Sequence, residues 1–178
     1  VLTADPVRMF ELSSGSTAAS KLIPYTDSLK AEFQRGISAW IYNLYTKIPE
    51  LQRGPAYWSI TPLVDGKRFS SGGIPIGFDS DSEYLGQFGK LLADSAMAVP
   101  NAVKNISNVD SFRYVTLLCL LRQPNLRLFS VWNPTYLSLL LAPLIDWWES
   151  LLHDIERGTV SMQNVELRFA PDPQRARR

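Results

Sequence analysis

From Leu126 to Gly158 the chain reads LRLFSVWNPTYLSLLLAPLIDWWESLLHDIERG, and this stretch constrains the fold more than any other. Leu126 to Trp132 has the length and the residue types of a central strand. Asn133 then offers a side chain to the open N–H groups of a helix start, and Pro134 suits the first turn, where its missing N–H costs nothing. Leu137, Leu140, Leu141, Leu144, Trp148, Leu151, Leu152 and Ile155 recur at three- and four-residue spacing as one apolar stripe. Pro143 is expected to kink this helix and Gly158 to end it.

The same grammar of strand, turn and helix runs through the rest of the chain. Arg8 to Leu12, Lys21 to Tyr25 and Tyr57 to Thr61 read as short strands. Thr26 or Asp27 caps a helix whose face is Leu29, Phe33, Ile37, Trp40, Ile41, Leu44 and Ile48, and which is expected to pack on a sheet until Pro49 stops it. Ser82 to Ala98 has helical spacing, and Ser111 to Arg122 is apolar nearly all round, as a core helix is. Leu63 to Asp81, with DGKRFSSGGIPIGFDSD at its centre, is glycine-rich and reads as a long loop. Strands alternating with helices at these lengths predict an α/β fold with a largely parallel sheet and packing helices.

Composition narrows the function classes. The 178 residues are 46% apolar and 20% charged with a net charge of +1, which suits one globular domain and predicts no electrostatic affinity for nucleic acid or a membrane surface. The basic cluster in PDPQRARR lacks interleaved aromatics and reads as a solvated tail. The single cysteine, Cys119, sits in the apolar run YVTLLCLLR as a buried thiol, so no intrachain disulfide forms and a reducing, cytoplasmic setting is expected. The start VLTADPVRMF is not a signal peptide, and the most apolar window carries Pro143 and Asp146. An opening Val instead of Met is what a processed or excised chain would show.

One stretch is chemically pointed. FELSSGSTAASKLIPYTD, Phe10 to Asp27, gathers hydroxyls around a glycine between two strands and places a lysine at the loop's far end. Hydroxyls and backbone N–H groups make a donor-rich concavity suited to phosphate oxygens, and the lysine adds a compact positive charge. It is not the usual P-loop, because Ser20 precedes Lys21 and Leu22 follows it. On composition alone a polar surface turn is the favoured explanation of the stretch.

The order of residues adds more: SSGSTAASK resembles the phosphate loop of the acyl-adenylate-forming superfamily, with Ser13, Ser14, Gly15, Ser16, Thr17 and Lys21 in register. It departs from the common pattern at Ala18 and Ser20, where glycine and proline are frequent. The lead-in LTADPVRMFELSSGS, the continuation KLIPYTD, and then GGIPIGFDSD and RLFSVWNPTYL are similar to the Gretchen Hagen (auxin-responsive) family of acyl-acid amido synthetases. The resemblance runs from about Leu2 to Gly158.

The resemblance implies an ATP-dependent ligase that adenylates a carboxylic acid and passes the acyl group to an amine or amino acid. It implies that Ser13, Ser14, Gly15, Ser16 and Thr17 cradle the phosphates of ATP, that Lys21 is catalytic through its charge, and that Mg2+ bridges the phosphates. Residues 111–122 and the Val131 to Tyr136 turn are then expected beside the acyl pocket, with Trp132 and Tyr136 lining a site for a flat aromatic acid; core packing is the alternative for Trp132. No stretch matches the superfamily's adenine-binding strand, ribose-binding aspartate or closing carboxy-terminal domain. The expectation is therefore a partial sheet belonging to an adenylate-forming N-terminal domain, residues 1–160, with phosphate loop 13–21, followed by a strand and basic tail in 161–178. Such a fragment would expose apolar surface and self-associate. Another adenylating enzyme, making a thioester or acyl-protein, and a non-catalytic α/β domain are the alternatives.

Overall fold

The computed structural model describes residues 3–12, 21–59, 68–76, 97–131 and 133–178. The chain divides into two compact units, Val1–Ile48 with Asp65–Ala93, and Pro49–Val64 with Asp94–Arg178.

In the first unit, β1 (Met9–Leu12) pairs antiparallel with β2 (Leu22–Tyr25), from Met9 opposite Tyr25 to Leu12 opposite Leu22. β1 also pairs in parallel with β5 (Pro75–Ile76), which is antiparallel to β4 (Arg68–Phe69), so the sheet runs β2-β1-β5-β4. Pro24 has no N–H to give a second neighbour and stands on the edge strand, where proline is tolerated. The β4–β5 hairpin corrects the reading of residues 63–81 as loop throughout: Ser70 and Ile74 close it, and Gly73 turns the chain at φ +76°. A two-residue strand is too short to show periodicity in sequence.

Helix α1 (Asp27–Lys47) begins as expected, with buried Thr26 accepting from the Leu29 N–H at 3.2 Å. Asp27 in its first turn favours the positive end of the helix dipole and meets Arg8 at 2.9 Å. Its apolar face is only half covered: Phe33, Ile37, Ile41 and Leu44 are partly buried, and no residue of α1 is fully buried.

The second unit is built around α2 (Val109–Leu121), which starts earlier than expected because the Asn108 side chain accepts from Ser111 N–H. Phe112, Tyr114, Val115 and residues 117–120 are buried around it. Thr116, also buried, returns its hydroxyl to the Phe112 carbonyl at 2.7 Å, the usual solution for a mid-helix threonine. β3 (Ala56–Trp58) and β6 (Leu128–Ser130) pair in parallel, with Tyr57 opposite Phe129. The expected helix over 82–98 lies outside the described residues except at its end, where Met97 bridges Ala56. α3 (Pro134–Leu141) is capped by Asn133 as predicted, and Pro143 separates it from α4 (Leu144–Arg157).

The α/β class with packing helices thus holds, with two small sheets among the described residues. Parallel pairing joins strands distant in sequence, β1 with β5 and β3 with β6, whereas β1–β2 and β4–β5 are antiparallel neighbours whose short connections reverse the chain. No described helix is long and apolar enough to cross a membrane.

The close of α4 holds the unit together. Asp154 is fully buried, and its carboxylate accepts from the Tyr114 hydroxyl at 2.7 Å, the Thr159 hydroxyl at 2.6 Å, and the N–H and hydroxyl of Ser161 at 2.6 and 2.9 Å. Burial alone would raise this carboxyl, but the bonds from Thr159, Tyr114 and Ser161 outweigh it and hold it below the ordinary value. Gly158 ends α4 at φ +73°, and a Cβ there would run into the Phe169 carbonyl. Residues 161–178, expected as a strand and solvated tail, carry no strand; a last helical turn, α5 (Pro173–Ala176), packs beside α4. Arg175 donates to the Leu121 carbonyl at 2.6 Å, and Arg122 donates to the Ala170 carbonyl while lying 5.1 Å over the Phe169 ring. The open carbonyl at the end of α2 recruits Arg175, and Arg122 also reaches the Ile155 carbonyl in the last turn of α4 at 3.5 Å.

Asp154→Asn turns an amide donor toward a cluster of donors and should cost about 2–4 kcal/mol in urea denaturation. Because the folded carboxyl lies below its unfolded value, its stabilisation is complete above about pH 4 and is lost as pH falls through the folded value. The variant should lose that part of the acid dependence, so its stability deficit against the parent chain narrows as pH falls below ~4; a deficit that stays constant over that range would contradict this.

Candidate functional site

A chain entering a loop from one strand and leaving by its ladder partner has both loop ends fixed. β1 and β2 do this for residues 13–21: the last registered pair is Leu12 opposite Leu22, so the ladder closes the base of the loop. The sequence between them, SSGSTAASK, is rich in small and hydroxyl-bearing residues. Parallel pairing of β1 with β5 puts the carboxyl ends of both strands at one edge of the sheet, the edge where α/β folds present ligand loops.

Of the residues expected in this loop, Ser13, Ser14, Gly15, Ser16 and Thr17 lie outside the described residues. Lys21 is described: it is exposed and stands immediately before β2. β2 then leads through Thr26 directly into α1, so the lysine is separated from the capped helix only by one short strand. Burial raises the Tyr25 hydroxyl, with the nearby Glu11 charge adding to the effect, so Tyr25 stays a neutral donor.

The second candidate region lies in the other unit. Trp132 falls outside the described residues. Tyr136, in the first turn of α3, is partly buried and has its hydroxyl 2.7 Å from that of Tyr57. Tyr57 is buried on β3 and meets the Phe129 ring edge-on at 5.3 Å. This aromatic pair ties the turn after β6 to the neighbouring strand. Residues 111–122, expected near an acyl pocket, mostly fill the core: Tyr114 is bonded to Asp154 and edge-on to Trp147 at 5.5 Å.

Other reactive groups are quiet. The Cys119 thiol is pushed up to about 12 by burial, against a small opposing effect of Arg122, and is no nucleophile. Among the described residues no cluster of His, Cys, Asp and Glu could hold a metal ion. Sequence reasoning missed Asp154 and Tyr57. The signal for Asp154 was a carboxylate in an apolar stripe followed by Thr159 and Ser161, two hydroxyls just past the helix stop; Tyr57 carried none beyond being an aromatic in a strand.

A family model described as the GH3 family N-terminal domain matches residues 1–178. No curated protein matches the chain. Among solved structures, one titled GH3.15 acyl acid amido synthetase is 22% identical with a TM-score of 0.73, over 97% of this chain and 31% of that one. Another, titled AtGH3.15 acyl acid amido synthetase in complex with 2,4-DB, is 21% identical with a TM-score of 0.75, over 97% and 32%. The chain therefore spans about a third of the length of these structures, and at such identities the likeness is one of fold.

Tyr57→Phe and Tyr136→Phe should each cost about 1 kcal/mol, and a double-mutant cycle should return a coupling of about 0.5–1.5 kcal/mol. Additive losses in urea denaturation would show that the hydroxyl pair contributes nothing.

Proposed function

This chain belongs to the GH3 family, and from that premise we propose that it is the phosphate-loop part of an ATP-dependent ligase that adenylates a carboxylic acid and conjugates it to an amine or amino acid. The observation carrying the reading is the loop SSGSTAASK set between two paired strands, with an exposed lysine where the second strand begins.

In the first step a carboxylate oxygen of the acid attacks the α-phosphorus of ATP, and the bond to the bridging oxygen breaks, releasing pyrophosphate. In the second an amine nitrogen attacks the acyl carbon, AMP leaves, and the nitrogen gives up a proton. Negative charge builds on the departing pyrophosphate, so the chain's contribution is electrostatic. Ser13, Ser14, Ser16 and Thr17 donate hydroxyls to β- and γ-phosphate oxygens, Gly15 admits close backbone approach, and Lys21 neutralises charge as it develops. Donors already aimed at the leaving group need little reorganisation as the bond breaks. Mg2+, a hard cation that prefers oxygen, would supply further charge neutralisation on the triphosphate.

The turn Val131 to Tyr136 is proposed as part of the acid site, with Trp132 and Tyr136 as aromatic walls. A neighbour whose title records 2,4-DB supports an organic acid as the class of ligand. The domain reading of 1–160 as adenylate-forming, a cytoplasmic setting, and self-association through exposed apolar residues such as Trp40, Tyr42 and Ile48 belong to the same proposal.

In a GH3 protein that carries this chain, Lys21→Ala should lower acid-dependent ATP–pyrophosphate exchange about ten- to a hundredfold with the thermal midpoint unchanged. Lys21→Arg should restore it only in part, since a planar fork does not replace a point charge in a tight loop. Unchanged exchange in Lys21→Ala would remove the lysine from the mechanism. The 178-residue chain by itself should show no exchange above its own Lys21→Ala control, because ATP held through its phosphates alone is not shielded from water.

A further inference from the structure

The apolar stripe of α3 and α4 has two sides, and only one is covered. Leu140, Leu151 and Ile155 face inward and are buried. Leu141, Ile145 and Trp148, at steps of four and three residues, form an outer ridge across the Pro143 break and are 41%, 87% and 44% exposed. Ile145 is the most exposed large apolar residue among those described. Helix formation does not require apolar side chains there, and the neighbouring outward positions, Asp146 and Glu149, are charged and exposed. Such a ridge has the i, i+4, i+7 spacing with which a helix engages a partner groove.

We infer that this ridge seats further polypeptide of a longer GH3 protein, an element that presents an apolar groove with Lys or Arg along the rim that meets Asp146 and Glu149. The inference rests on the family and the fold likeness and not on the adenylation chemistry. Structures that align with 97% of this chain devote only 31% and 32% of their length to the aligned part, so in a protein of that size about two thirds of the chain lies beyond it and can cover the ridge. A second copy is the poorer occupant. A two-fold pairing centred between Ile145 and Trp148 brings the same flank of both helices together and sets Asp146 and Glu149 against their equivalents, a like-charge contact that opposes association.

The test is alkylation of Ile145→Cys by a maleimide in the 178-residue chain and in a GH3 protein that contains it. In the 178-residue chain the background is low because Cys119 is buried and its thiol pushed up to about 12, and in both proteins the rate is read on the peptide that carries position 145. The engineered thiol should react at the rate of an exposed cysteine in the chain and about tenfold or more slowly in the longer protein, independently of protein concentration. Equal rates would overturn the inference, and protection that disappears on dilution would assign the ridge to a second copy and overturn it too. As an independent arm, Ile145→Asp should lower the thermal midpoint of the longer protein while leaving that of the chain unchanged; no change in either would count against a covered ridge.

Discussion

A single buried carboxylate sets the arrangement of the second unit. Asp154 has no exposure to water and receives four hydrogen bonds from three residues, one on α2 and two just past the end of α4. An unpaired charge at that depth would be very costly, so the position is tolerable only when Tyr114, Thr159 and Ser161 are all in place. The backbone reinforces the same junction: the Asp154 carbonyl accepts from Gly158 and Thr159, and Ile155 accepts from Asp172. α2, α4 and the terminal segment are thereby joined at one place, and Arg122 and Arg175 secure the other end of α2. Loss of any one partner leaves the rest under-satisfied, which makes the junction cooperative.

The first unit follows a different logic, in which precision is needed at the mouth of a loop and less elsewhere. Backbone pairing from Met9–Tyr25 to Leu12–Leu22 sets the two ends of the serine loop side by side without using any side chain of the loop itself. α1, by contrast, has no fully buried residue, and its apolar face is only half covered.

Much of the fold was legible because local chemistry decides where helices begin and end. Although the cap at Asn108 goes unread and that helix is expected only from Ser111, Thr26 and Asn133 each accept from the helix they precede, Pro134 stands in a first turn, and Gly158 adopts the left-handed conformation that its place at a helix end demands. These are short-range effects that a sequence states directly. The β4–β5 hairpin escaped because strands of two residues carry no period, and the ordered terminal segment escaped because Arg175 looks like a solvated charge until the Leu121 carbonyl is placed beside it. Of the candidate site, the loop motif and its flanking strands were readable, whereas the bond between Tyr57 and Tyr136 joins residues far apart in sequence and no spacing rule foretells it.

On the proposed function, residues 13–21 bind the phosphates of ATP. Amide hydrogen exchange of a GH3 protein carrying this chain, with and without ATP and Mg2+, tests it most directly, since donated N–H groups exchange slowly. Nucleotide should slow exchange in peptides spanning Leu12 to Leu22, and AMP, which lacks the β- and γ-phosphates, should slow it much less. Protection by ATP confined to other segments, or equal protection by AMP, would contradict the assignment.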